Sequence, residues 1–234
     1  MASTALSVHQ RAFRSTVVKK VVMAITGLIL IAFLLMHMFG NLKIFLGDTA
    51  YNKYAKWLKE DLLTPFLPHG WFIWIFRFVI LASLVLHVYC MATLWSTSLK
   101  GRGPRYARTK RKEMTLSVRF IRWLGIILGT LLIVHLLMFT IGWVTFGAYE
   151  FTPKTPYLMF IGAFKQPLIF LIYAIFVGAV SMHVRHGFWS AFTTLGANVS
   201  ARARRWLNYL AWLVAGLLFV GFLLPPFSVL IGLV

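Results

Sequence analysis

The sequence predicts an all-α membrane protein: five transmembrane helices in one bundle, with the N-terminus in the cytoplasm and the C-terminus outside. Three observations predict it. Of 234 residues, 60% are hydrophobic and only 12% charged, which a soluble domain of ordinary composition does not match. Five stretches carry no formal charge: Val21–Gly40, Phe78–Leu99, Trp123–Tyr149, Gln166–Val184 and Trp206–Val234. Each is close to the roughly 20 residues that a helix needs to cross a hydrocarbon core, or longer. If five helices alternate, most of the 24 lysines and arginines fall on one side of the membrane, and that side is the cytoplasmic one.

The helices are expected near 20–40, 71–99, 119–147, 165–190 and 205–232, forming a single domain over 1–234. The first follows a polar arm with Arg11, Arg14, Lys19 and Lys20. A secretory signal looks similar, but this apolar core is too long and no small-x-small cleavage site precedes a soluble domain. Between helices one and two, Tyr51, Tyr54, Trp57, Leu58 and Asp61 recur at helical spacing. They predict a short amphipathic helix on the outer face, ended by Pro65 and Pro68. Helix two holds the single cysteine, Cys90, so there is no disulfide framework and no basis for cysteine-ligated zinc or iron–sulfur sites. The loop from Lys100 to Thr115 is punctuated by "GRGP", a turn signal. Gly147–Phe164, with Pro153 and Pro156, reads as a second outer loop, and Pro225–Pro226 predict a kink or an early end in helix five.

The net charge of +19 suggests nucleic acid until the charges are placed. The arm, the 100–122 region, Arg185, Arg202, Arg204 and Arg205 are all cytoplasmic in this topology, while Asp48, Glu60, Asp61 and Glu150, four of the five acids, are outside. Topology explains the bias and no nucleic-acid partner is needed. The basic loop "LKGRGPRYARTKRKE" could also bind anionic lipid or an acidic face of a partner subunit.

Ionisable residues inside spanning segments are costly and point to function. His9 and His69 read as solvated surface residues; His37, His87, His135, His183 and His186 fall in or at the edge of the spans. At about 1.5 Å per residue, His37 lies about 10 Å and His135 about 6 Å outward of mid-membrane. His87 lies about 6 Å and His183 about 10 Å inward, so the two layers are roughly 16 Å apart. Each layer takes one histidine from each of two helices, the arrangement needed to grip a flat macrocycle from both faces. Two b-type haems with paired axial histidines fit this pattern. Hydrogen-bonded core histidines that tie helices together are the other reading. Zinc fits less well, because nothing brings a third or fourth ligand to either layer.

Gly27, Gly125, Gly129 and Gly178 lie on the histidine-bearing helices and could give a macrocycle room; "GIILG" also reads as a small-xxx-small helix contact. Haem propionates need cationic or hydrogen-bonding partners. Arg185, His186 and Arg119 or Arg122 are candidates on the inner side, Arg77 and Lys43 on the outer side, and each can instead be an interfacial anchor.

One histidine on each of helices one to four, with the fourth in "HVRHGFWSAFTTLG" and His183 four residues before Gly187, together with "VVKKVVMAITG" near the N-terminus, resembles the single-chain cytochrome b subunit of bacterial succinate dehydrogenase and fumarate reductase. The likeness covers almost the whole chain. It implies a five-helix anchor in the bacterial cell membrane, part of the respiratory chain and the tricarboxylic acid cycle. It implies docking of an iron–sulfur subunit and a flavoprotein on the cytoplasmic face, and two haem b groups. His87 and His183 then hold the inner haem, His37 and His135 the outer, and a membrane quinone, menaquinone rather than ubiquinone, is the electron acceptor. Some members place a carboxylate after the first helix at the quinone site; Glu60, with Asp61 beside it, corresponds here and would act as a proton donor or relay.

Two other functions stay open on the residues. A hydrogenase or formate dehydrogenase cytochrome b also carries intramembrane histidines, but typically two on one helix, as His183 and His186 could imitate. A small histidine-relay transporter would need a polar path and an inverted repeat, and neither is visible. The outward helix surfaces face lipid or neighbouring copies, which is compatible with a higher oligomer of the complex.

Overall fold

The apolar runs fold into α-helices that alternate with short interfacial elements. The computed structural model describes residues 15–100, 116–146, 150–152 and 154–234. The arm through Arg14, the basic loop 101–115 and Pro153 lie outside the described residues, as does the side chain of Arg119. Seven α-helices occur among the described residues: α1 (Thr16–Leu42), α2 (Gly47–Glu60), α3 (Trp71–Lys100), α4 (Leu116–Leu136), α5 (Pro156–Phe164), α6 (Pro167–Thr194) and α7 (Ala201–Leu230). Five of them, α1, α3, α4, α6 and α7, are long and apolar enough to span a membrane, and the protein is a multi-pass, all-helical membrane protein.

A single 3-10 turn, Lys43–Leu46, leads from α1 into α2. Gly47 takes φ +85° there, a conformation that side chains resist, and so lets the chain fold back. The amphipathic helix α2 starts with Asp48 in its first turn, where the helix dipole favours an acid. It stops at Glu60, ahead of Pro65 and Pro68: Leu63 turns to φ +65° and the Gly70 N–H closes the loop onto the Glu60 carbonyl at 2.9 Å. Tyr54 seats α2 on α1, because a Cβ at Gly40 would stand 3.2 Å from its ring.

The α4 ladder widens into a π turn, Leu137–Ile141, and ends at Gly142, short of the expected 147. The second outer loop is in part a helix. Pro156 sits at the start of α5, where its missing N–H costs nothing. Pro225 and Pro226 do not stop α7, which runs on to Leu230 with both rings buried.

Packing fixes the order of helices around the bundle. α1 packs against α3, α6 and α7, while α6 also packs against α4 and α7. Neither α1 with α4 nor α3 with α6 comes into comparably close packing among the described residues. The four corners therefore run α1, α3, α4, α6, with α1–α4 and α3–α6 as the diagonals. α7 lies against the α1–α6 side through Leu207, Ala211, Ala215, Leu218 and Gly221, whose small members allow close approach. Ile31, Val180, Val184 and Leu218 form a mid-bundle core. Ile44, Met138, Phe160, Phe164, Ile169 and Tyr173 form another at the end covered by α2 and α5. Asn52 ties those two covering helices together, its Oδ1 accepting from the Tyr157 N–H at 3.1 Å.

Candidate functional site

Each diagonal of the bundle carries one pair of facing histidines. His37 of α1 and His135 of α4 have ring centres 5.9 Å apart with planes at 78°. His87 of α3 and His183 of α6 have ring centres 6.3 Å apart with planes at 61°. The first pair lies toward the α2–α5 end, the second toward the opposite end.

Side chains and backbone fix two of these rings. The Met23 carbonyl, 3.2 Å from His87 Nδ1, can only accept, so Nδ1 carries the hydrogen and Nε2 keeps its lone pair. Thr26, 3.5 Å from the same nitrogen, directs its hydroxyl hydrogen to the Val22 carbonyl at 2.8 Å. His135 Nδ1 lies 3.1 Å from the Tyr173 hydroxyl, which donates to Met138 Sδ at 3.8 Å. In the Nδ1–H tautomer His135 donates to the phenol oxygen and Nε2 keeps its lone pair, as in His87. A ligating histidine needs this arrangement: one nitrogen oriented by a partner, the other available to a metal. Nδ1 of His183 is buried with no hydrogen-bond partner, and His37 stacks on Phe33 at 5.4 Å.

The residues fit a haem in spacing, donor set and room. Two imidazoles trans on one metal, each bonded at about 2 Å and with the nitrogen about 1 Å from the ring centre, have centres roughly 6 Å apart. Both pairs have that spacing. No cluster of three or more histidine, cysteine or acidic side chains occurs among the described residues. A ring perpendicular to the His87–His183 line would extend toward α1 and α4, and glycines stand there. A Cβ at Gly27 of α1 would be 3.3 Å from His87 Cε1, and one at Gly125 of α4 would be 3.9 Å from His183 Cε1. Gly129 and Gly178 have nothing within 4 Å of a built Cβ, so "GIILG" is not a close helix contact at its second glycine.

The other candidate residues are dispersed. Arg185 turns to α7, donating to Asn208 Oδ1 at 3.1 Å and lying 4.7 Å from the Trp212 ring centre. His186, half-buried, belongs to neither ring pair. Arg77 is exposed and lies over the exposed Trp74, an arrangement suited to a membrane interface. The Lys43 ammonium is held between Phe39 at 4.8 Å and Tyr54 at 5.0 Å. Glu60 pairs with Lys56 at 3.9 Å, and Asp61 with His69 at 3.4 Å. Beside them an apolar cavity of about 410 Å³ opens between α1 and α2, lined by Leu35, Met36, Phe39, Tyr54, Trp57, Leu58 and Leu62.

The sequence reading missed the partners of His87 and His135, Met23 and Tyr173. A backbone carbonyl leaves no trace in a sequence. Tyr173 did leave one, since a tyrosine inside an apolar span must find a partner for its hydroxyl. No known family, curated protein or solved structure matches this chain.

Proposed function

We propose that the chain is the quinone-reactive membrane anchor of a succinate dehydrogenase or fumarate reductase in the bacterial cell membrane, with its N-terminus in the cytoplasm. The observation that carries this reading is the pair of facing histidines on each diagonal of the bundle, with ring centres 5.9 and 6.3 Å apart, a spacing at which both could ligate one metal. His37 and His135 would hold one haem b and His87 and His183 the other. When bound, the haems supply one-electron carriage from succinate oxidation, by way of an iron–sulfur subunit and a flavoprotein on the cytoplasmic face, to a membrane quinone.

The chain's own residues bind and orient. Met23 and Tyr173 aim the Nε2 lone pairs of His87 and His135, while Gly27 and Gly125 leave room beside the second pair. The cavity between α1 and α2 is the seat we assign to the quinone. It is apolar, it is lined by exposed side chains including Met36 and Phe39, and these flank His37 in the chain. Quinone reduction consumes protons, and Glu60 and Asp61, at the end of α2 beside that cavity, are acids that can deliver them from water. Menaquinone is the acceptor that the family resemblance favours. A cytochrome of the hydrogenase or formate dehydrogenase type draws less support, because His186 enters neither pair.

Purification from haem-replete cells tests the reading. A flavoprotein and an iron–sulfur protein should co-purify, with succinate:quinone reductase activity and a b-type reduced-minus-oxidised spectrum. A nickel or molybdenum partner, or no b-type absorbance, would contradict it.

A further inference from the structure

Among the described residues, α3 and α4 are the neighbouring corners of the bundle that do not pack closely side by side. Near the end away from α2 and α5, a pair of side chains bridges this opening. The Arg122 guanidinium of α4 lies 5.1 Å from the Trp95 ring centre of α3 and donates to Ser98 Oγ at 3.3 Å. The Trp95 Nε1–H is buried and has no hydrogen-bond partner. A buried N–H without an acceptor destabilises the fold, and a guanidinium with one bond to a hydroxyl keeps further N–H groups to offer. A positive charge beside an unsatisfied donor calls for an anion.

Position says which anion. Trp95 follows His87 by eight residues on α3, about 12 Å along the axis and turned by roughly 80°. His87 faces α6 across the diagonal, and the contact with Arg122 places Trp95 on the α4 side. A haem bound by His87 and His183 would bring two carboxylates to this end of the bundle, and Trp95 and Arg122 would be the groups of α3 and α4 to receive them. Arg185, nearer in sequence to a ligand, is already held by Asn208 and Trp212.

The geometry points to Trp95 and Arg122 as the binding site for the carboxylates of the haem held by His87 and His183. This rests on the di-haem reading above. The indole N–H and the guanidinium each take a carboxylate oxygen, and Ser98 steadies the arginine.

Potentiometric titration of the purified full-length protein separates the two haems, and the haem of His37 and His135 serves as internal control. Trp95→Phe and Arg122→Gln should each lower the midpoint potential of the His87–His183 haem and leave the other in place. Loss of a donor or a cation leaves the carboxylate charge uncompensated and favours the ferric state; Arg122→Lys, which keeps the charge, should retain most of the potential. Reconstitution of the wild-type apoprotein needs no variant: haem dimethyl ester should bind at His87–His183 at least several-fold more weakly than haem itself. Unchanged potentials, equal shifts in both haems, or equal binding of haem and ester would overturn the proposal. Loss of co-purified anionic phospholipid at unchanged potential would overturn it in favour of a lipid site. A wild type without b-type absorbance would overturn the di-haem reading and this site with it, an outcome distinct from a di-haem spectrum indifferent to Trp95 and Arg122.

Discussion

The Nδ1–H of His87 on α3 donates to the backbone carbonyl of Met23 on α1, 3.2 Å away, whereas the corresponding nitrogen of His135 bonds the Tyr173 hydroxyl at 3.1 Å. One histidine is thus oriented by a group that no side-chain substitution removes, the other by a phenol that can be deleted. The two sites should respond differently to mutation.

Tyr173→Phe removes an acceptor from His135 and nothing from His87. Outer partners of this kind are worth about 10–100-fold in metal affinity. The His37–His135 haem should bind that much more weakly, and its potential should rise as the imidazole becomes a poorer donor to ferric iron. The His87–His183 haem should keep its potential in the same titration.

Gly27→Val should cost the second site its haem, because even a Cβ would stand 3.3 Å from His87 Cε1. Haem content measured by pyridine haemochrome should fall from about two to about one per chain.

His183→Ala and His186→Ala separate the two histidines of "MHVRH". The first should abolish the His87–His183 haem, since only His183 faces a partner ring. The second should keep both haems, with altered assembly or potential at most. Loss of a haem in His186→Ala alone would reverse the assignment.

Leu58→Trp should fill the cavity between α1 and α2 and raise the KM for quinone several-fold with both haem spectra intact. Glu60→Gln should instead lower kcat, on the order of tenfold or more if the carboxylate passes protons, and leave KM nearly unchanged. Quinone titrations of steady-state activity distinguish the two.

Much of the fold was legible because a membrane imposes length and hydrophobicity on every span, and the five spans follow from charge-free runs alone. The juxtaposition of His37 with His135 and of His87 with His183 follows from depth along alternating helices. What escaped was local. Pro156 marked a loop in the sequence but begins α5, since proline at a first helical position signals a start as readily as a stop. Pro225 and Pro226 sit buried within a continuous helix, where packing in the bundle overrides the local preference of proline to end one. Arg185 stands two residues from His183, and two residues along a helix point to nearly opposite faces; the structure places it against α7, on Asn208 and Trp212. Tyr173 and Trp95 went unnoticed because aromatic residues are ordinary in such a chain, and only their partners, or the lack of one, distinguish them.

The diagonal pairing is the central claim, and haem content with potentials across the four single variants His37→Ala, His87→Ala, His135→Ala and His183→Ala, and the double variants within each pair, tests it most directly. His37→Ala and His135→Ala should remove the same haem, His87→Ala and His183→Ala the other, and each double variant should match its singles. A wild type lacking two b-type haems, or loss of the same haem in His37→Ala and His87→Ala, would contradict the account.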